Sequence, residues 1–251
     1  MADLPSLPAL IDAPPPTLSV PALDLPASGR PGSTRTASAA VAIAGAPGPA
    51  PASGKAANGG ARIASGAAYE ACLALAGTDP AEAARAAEIW AAATPSGGDA
   101  ALHCQALAEI ALGRAAIGAS MLEQLAATSH APALARARVE DQAAGVWLGL
   151  GRGGHAYGAA TMAIALAPGI GSFYLDRAIA AGLSGNDHGT IADLNHVLAL
   201  DPGRMDALVL RGVAWQRLGD HARAVADWRE AARRDADGPA GRQARLYLAG
   251  R

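Results

Sequence analysis

The chain has 251 residues, with 20 Lys and Arg against 22 Asp and Glu and a formal charge of −2. Such a balance supplies no global field for nucleic acid or anionic lipid, and the length allows one or two ordinary domains with a true core. Its two cysteines, Cys72 and Cys104, fall inside Ala/Leu-rich helical patterns and read as separate buried thiols of a reducing compartment rather than as a disulfide framework.

Residues 1–63 stand apart in composition. They hold 11 of the 17 prolines and none of the nine aromatic residues, the first of which is Tyr69. A segment without large apolar side chains cannot offset the entropy of ordering its backbone, so a disordered Pro/Ala/Gly-rich tail and linker is expected. Within it, "LPSLPALIDAPPPTLSVPALDLPA" spaces Leu4, Leu7, Leu10 and Ile11 between prolines and favours extended conformers, suited either to a docking motif or to an inert tail. Residues 1–29 carry no Lys or Arg and prolines interrupt each apolar run, which is unlike a secretory leader. The cytoplasm is therefore the expected compartment, with the periplasm as the alternative if a leader precedes this sequence. No stretch has 18 strongly apolar residues, so no membrane span is expected.

Beyond residue 64 the pattern is helical. In "LARARVEDQAAGVWL" the apolar residues Val139, Ala143, Val146 and Trp147, followed by Leu150, recur at spacings of three and four. This segment runs into Gly149, Gly151 and Gly154, which have the G-x-G-x-x-G spacing of a dinucleotide loop. A phosphate cradle needs a strand before the glycines, and a helix precedes these, so a nucleotide is not expected.

Internal repetition explains the glycines instead. "LGLGRGGHA", "GLSGNDHGT" and "QRLGDHARA" align at successive shifts of 34 residues, superposing Gly151, Gly185 and Gly219. Gly113 joins the set 38 residues earlier, four extra residues lying near "TSHAPALA". Each glycine is expected to turn the chain between two helices in a conformation that a Cβ would strain. Pro80, Pro95, Pro132, Pro168, Pro202 and Pro239 punctuate helix starts or unit boundaries. Small residues mark where paired helices touch: Cys72, Ala106, Ala144 and Ala178 in first helices, and Ala84, Gly118, Ala156, Thr190 and Ala224 in second helices.

With this period and these residues, the chain resembles the tetratricopeptide-repeat (TPR) family. The likeness is clearest in "LRGVAWQRLGDHARAVADWREAARRDA", where Gly212, Trp215, Leu218, Gly219, Ala224, Trp228 and Ala231 match the family's small, aromatic and turn positions. The preceding unit closes on the family's Asp-Pro, here Asp201 and Pro202. The resemblance implies an all-α fold: a right-handed solenoid of about five helix pairs over residues 64–238. A capping helix over 239–251 would cover the last unit with Leu246 and Leu248 and leave Arg242 and Arg245 to water.

In this family the first helices of successive pairs line a concave groove that takes peptides. Carried over by alignment, the groove positions are Tyr69, Leu73, His103, Leu107, Asp141, Leu175, Ile179, Val209 and Val213, with Gly145 beside Asp141. These are apolar or acidic, unlike the basic and Asn side chains of members that clamp a chaperone's C-terminal carboxylate. The implied function is a non-catalytic scaffold binding an apolar or mixed peptide segment. The alternative is an accessory subunit of a cell-envelope or secretion assembly working by self-association or end-to-end stacking.

No catalytic signature competes with this. His155, His188 and His221 fall in different units, too far apart to share a metal, and Asp193 and His196 could at most meet across one helical turn. His103 and Cys104 are consecutive helical residues that point apart, and no G-x-S-x-G elbow is present. No enzyme activity, cofactor or metal is expected. From Gly203 to Arg251 ten Arg face six acids that include Asp206, Asp220, Asp227 and Glu230, an arrangement expected to pair locally.

Overall fold

The computed structural model describes residues 62–93 and 98–250. The Pro-rich tail, apart from its last two residues, and Pro95 lie outside the described residues. Among the described residues there are eleven helices and no strand. They are α1 (Ala67–Thr78), α2 (Pro80–Ala93), α3 (Gly98–Ala111), α4 (Ala115–Thr128), α5 (Ala133–Gly149), α6 (Gly153–Leu166), α7 (Gly171–Leu183), α8 (Asp187–Leu200), α9 (Met205–Arg217), α10 (His221–Arg234) and α11 (Pro239–Ala249). Each packs on the next in chain order, and first helices also meet one another, α1 on α3 and α5 on α7.

The pairs turn as the repeat predicts. Gly113, Gly151, Gly185 and Gly219 have φ of 80, 67, 75 and 82°. In all four turns the glycine N–H bonds back to a carbonyl three residues earlier, and the next N–H bonds five residues back: Arg114 to Glu109, Arg152 to Trp147, Asn186 to Ala181, Asp220 to Trp215, each at 2.9 Å. This pair of hydrogen bonds satisfies two of the last carbonyls of the first helix and ends it sharply. Asn186 and Asp220 then cap the following helices, accepting from Gly189 N and Arg223 N at 3.0 Å. The α1–α2 turn is built differently, with Asp79 where the others have glycine and its carboxylate accepting from Glu82 N.

Small residues hold the paired helices close. Ala106, Ala144, Ala156, Ala178 and Ala224 are fully buried. A Cβ on Gly118 would stand 2.5 Å from the Ala106 carbonyl oxygen, and one on Gly212 would collide with the Trp228 indole. Larger side chains fill the space between pairs, among them Leu122, Leu125, Trp147, Phe173, Leu194 and Val197, all 2% exposed or less. Each such side chain contributes roughly 1.5–3 kcal/mol, against about 0.8 kcal/mol for a methyl group.

Two expectations are corrected. Cys72 and Cys104 are not separate thiols; they form a disulfide between α1 and α3, with Cα atoms 6.0 Å apart. The two helices lie side by side, and Cys104 sits two residues before the repeat equivalent of Cys72, so it faces the α1 contact rather than repeating it. At the other end Leu246 does not cover the last unit, being 67% exposed. The buried stripe of α11 is Ala240, Ala244, Tyr247 and Leu248, at helical spacing, and Leu246 falls outside it. Tyr247 stacks on Trp228 with ring centroids 4.9 Å apart.

Candidate peptide-binding face

The first helices α1, α3, α5, α7 and α9 carry the nine groove candidates, which the structure sorts into two rows. Tyr69, His103, Leu175 and Val209 are buried, at 4, 5, 8 and 6% exposure. Leu73, Leu107, Asp141, Ile179 and Val213 are half-buried, as is Gly145. One row therefore packs helix against helix, and the other is partly open to solvent. Leu73, Leu107, Gly145, Ile179 and Val213 occupy equivalent places in the five units, so the open row runs the length of the repeat.

The buried row contains a polar line that sequence reasoning did not anticipate. Tyr69 Oη donates to His103 Nδ1 at 2.6 Å, and His103 Nε2 donates to Gln142 Oε1 at 2.8 Å, joining α1, α3 and α5. Burial lowers the His103 pKa and keeps the ring neutral, which this donor–acceptor sequence requires. Burial, with the Glu70 carboxylate second, pushes the Tyr69 hydroxyl up to about 12. The alignment placed Tyr69 and His103 at one repeat position, and their adjacency was the available signal.

Between α5 and α7 the face turns acidic. Asp141 and Asp176 are within hydrogen-bonding reach, and burial followed by mutual repulsion raises Asp176 to about 8; burial raises Asp141 to about 6. Asp141 Oδ1 is buried and has no hydrogen-bond donor as a carboxylate. A proton shared by the two carboxyls supplies that donor and relieves the repulsion, so the pair holds one proton at neutral pH. Arg138 and Arg204 moderate the negative charge.

Two bidentate ion pairs brace the later units. Arg177 donates to both oxygens of Asp193 at 2.9 and 2.7 Å, and Arg211 donates to both of Asp227 at the same distances. Arg211 also reaches Asn195 Oδ1 at 2.7 Å. Both partners recur after 34 residues, a coincidence visible in the self-alignment. Asp193 is thus committed to Arg177 and does not meet His196, which packs against Tyr174 at 4.0 Å. His155, His188 and His221 are exposed, and His155 stacks on Trp147. Local pairing in the Arg-rich end is present in Arg233–Glu230, Arg223–Asp220 and Arg204–Asp206. Gly149, Gly151 and Gly154 span the end of α5, a turn and the start of α6 with no strand before them, so no phosphate loop is formed. Among the described residues no three His, Cys, Asp or Glu side chains are grouped to hold a metal ion, and no helix is long and apolar enough to cross a membrane.

The sequence matches no protein-family model and no curated protein. The fold does have solved counterparts. A fragment of MamA running from residue 41 to the end, from Desulfovibrio magneticus RS-1, is similar over 69% of this chain and 98% of its own, with 17% identity and a TM-score of 0.56. YrrB, described as a TPR protein with an unusual peptide-binding site, is similar over 71% of this chain and 90% of its own, with 13% identity and a TM-score of 0.59. The chain has the tetratricopeptide-repeat fold. In TPR terms, α1–α10 are five helix pairs and α11 is the helix that closes the last one.

Proposed function

We propose that the protein is a non-catalytic TPR scaffold whose first-helix face binds a polypeptide segment. The observation that carries this reading is the half-buried row formed by Leu73, Leu107, Ile179 and Val213. Apolar side chains left partly in water at the same place in four of the five units, with Gly145 in the third, offer an extended or helical segment repeated contacts. Asp141 and Asp176 interrupt the row with negative charge, so a segment of mixed rather than purely apolar character fits. YrrB, of the same fold, is described as having a peptide-binding site, which supports the class of ligand.

The row also decides where to test. Leu175 and Val209 are core residues, and placing charge there would unfold the stack. Ile179→Glu with Val213→Glu places charge on the open row instead. Panning a displayed random-peptide library on the full chain, then measuring the selected peptides on this double variant, should give at least ten-fold weaker binding with unchanged helical circular dichroism. Equal binding would place the ligand elsewhere. The alternative, an accessory subunit of a cell-envelope assembly that self-associates, draws on the disulfide, since such bonds persist in oxidising compartments. Light scattering on the eluting protein separates the two readings: a monomer favours the scaffold, and a concentration-dependent oligomer favours the assembly subunit.

A further inference from the structure

The first helix pair is attached to the stack by unusual means. Two clusters join α1 and α2 to α3: one holds the Tyr69 ring with Ala106, and the other consists of Cys72, Ala76, Ala83, Ala87, Cys104 and Ala108, with no buried side chain larger than cysteine. Leu73, Leu75 and Trp90 pack on its margin and are only half-buried. The disulfide is the largest apolar group at the centre of this cluster. Beside it the Tyr69–His103 hydrogen bond joins the same two helices, one turn before Cys72 and one residue before Cys104. The α1–α2 turn also lacks the glycine motif that fixes the other four turns. Among the described residues the α1–α2 pair has a neighbour on one side only, and within them its docking depends on that single interface.

We propose that Cys72–Cys104 is a redox latch on the first described helix pair: oxidised, it fixes the α1–α2 hairpin on α3, and reduction releases that hairpin while the remaining units stay folded. Closing takes two electrons and two protons from the two thiols and gives them to a disulfide-bearing oxidant, which leaves as two thiols. Opening uses a dithiol. Its thiolate attacks Cys72 Sγ, the sulfur with 7% rather than 0% residue exposure, and Cys104 leaves as a thiolate that takes up a proton. The second thiol of the reductant then displaces Cys72, which is protonated in turn, and the reductant departs as a cyclic disulfide. Released, the hairpin withdraws Tyr69 and Leu73 from the first-helix face and uncovers Cys104 and Ala108 on α3, both 0% exposed in the latched state. The latch stands on packing and covalent geometry and does not depend on what the face binds.

The test is amide hydrogen exchange read by mass spectrometry on the full chain. Three samples are compared: air-oxidised protein, protein in dithiothreitol, and the double variant Cys72→Ala with Cys104→Ala. Amides of α1 and α2 should exchange at least ten-fold faster in the second and third samples than in the first, with α7–α10 unchanged in all three. Intact mass under denaturing, non-reducing conditions should show no thiol open to alkylation in the first sample. Unchanged exchange in α1 and α2 overturns the latch. So does acceleration spread evenly over all helices, which would make the bond a global staple, and so do two alkylatable thiols in the air-oxidised protein.

Discussion

At its α1–α2 end the stack sets alanine against alanine beside the single buried ring of Tyr69 and adds one covalent bond; at its α7–α10 end it sets Phe173, Leu194, Val197 and Trp228 into the gaps and repeats one salt bridge. Both ends follow the same period, so the period does not fix what holds neighbours together. In a linear array each interface must supply its own stability, because no distant contact shares the load. Where side chains are small, a bond between Cys72 and Cys104, 32 residues apart, restricts the unfolded chain by about 3–4 kcal/mol on the chain-entropy account. That is comparable to one large aromatic residue in a core. The difference teaches that an alanine-rich solenoid can exchange packing for covalent restraint, unit by unit.

The comparison is most easily broken at Trp228. Trp228→Ala removes a side chain that is 2% exposed, stacks on Tyr247 and donates to the Val209 carbonyl at 3.1 Å. It should lower stability by about 3–5 kcal/mol in urea unfolding, with the α9–α11 amides exchanging fastest. Reduction of the disulfide should cost about 3 kcal/mol, read as loss of the earliest-melting fraction of the helical signal, and should leave tryptophan fluorescence from the α9–α10 region unmoved. If Trp228→Ala instead loosens α1 and α2, the ends are coupled and the neighbour-by-neighbour account fails.

A smaller effect sharpens the repeat itself. Asp193→Ala and Asp227→Ala each leave a largely buried arginine without its bidentate partner, its side chain 20 or 22% exposed. Each should cost about 1–3 kcal/mol, and the two losses should agree closely if the units are equivalent. Spread over a range of pH is the response of the Asp141–Asp176 pair. Folding raises both carboxyls, so the folded state binds more protons than the unfolded state, and stability falls as pH rises from about 4 to about 8. Glu140, raised to about 7 chiefly by burial, acts in the same direction. Asp176→Asn should flatten the fall, seen as a melting temperature that is higher than wild type at pH 8 and similar near pH 4.

Much of the fold was legible because it rests on residues with few alternatives. Four glycines at equivalent places, three of them 34 residues apart, needed a left-handed turn, and the alanines at matching places needed a close helix crossing. The binding face was half legible. A period reports which residues are equivalent, but residues four apart differ by only about 40° around the helix, and the overlap of the neighbouring first helix decides which is covered. Hence Leu175 became core and Ile179 remained half-open. The disulfide was hidden for a related reason: Cys72 and Cys104 miss equivalence by two residues, which in a lone helix means another direction and between adjacent helices means a facing pair. Leu246 is hydrophobic but out of phase with the buried stripe of α11, and phase decides which residues cover the last unit.

The Arg177–Asp193 and Arg211–Asp227 bridges each close within their own helix pair. A duplicated segment of one period, spliced in phase behind Asp201, would therefore arrive with both halves of its brace, and only the junction contact of Arg217 with Asp187 would need to be rebuilt, since Leu183 stands at the equivalent place. Growth by whole modules is built into the spacing of two charges.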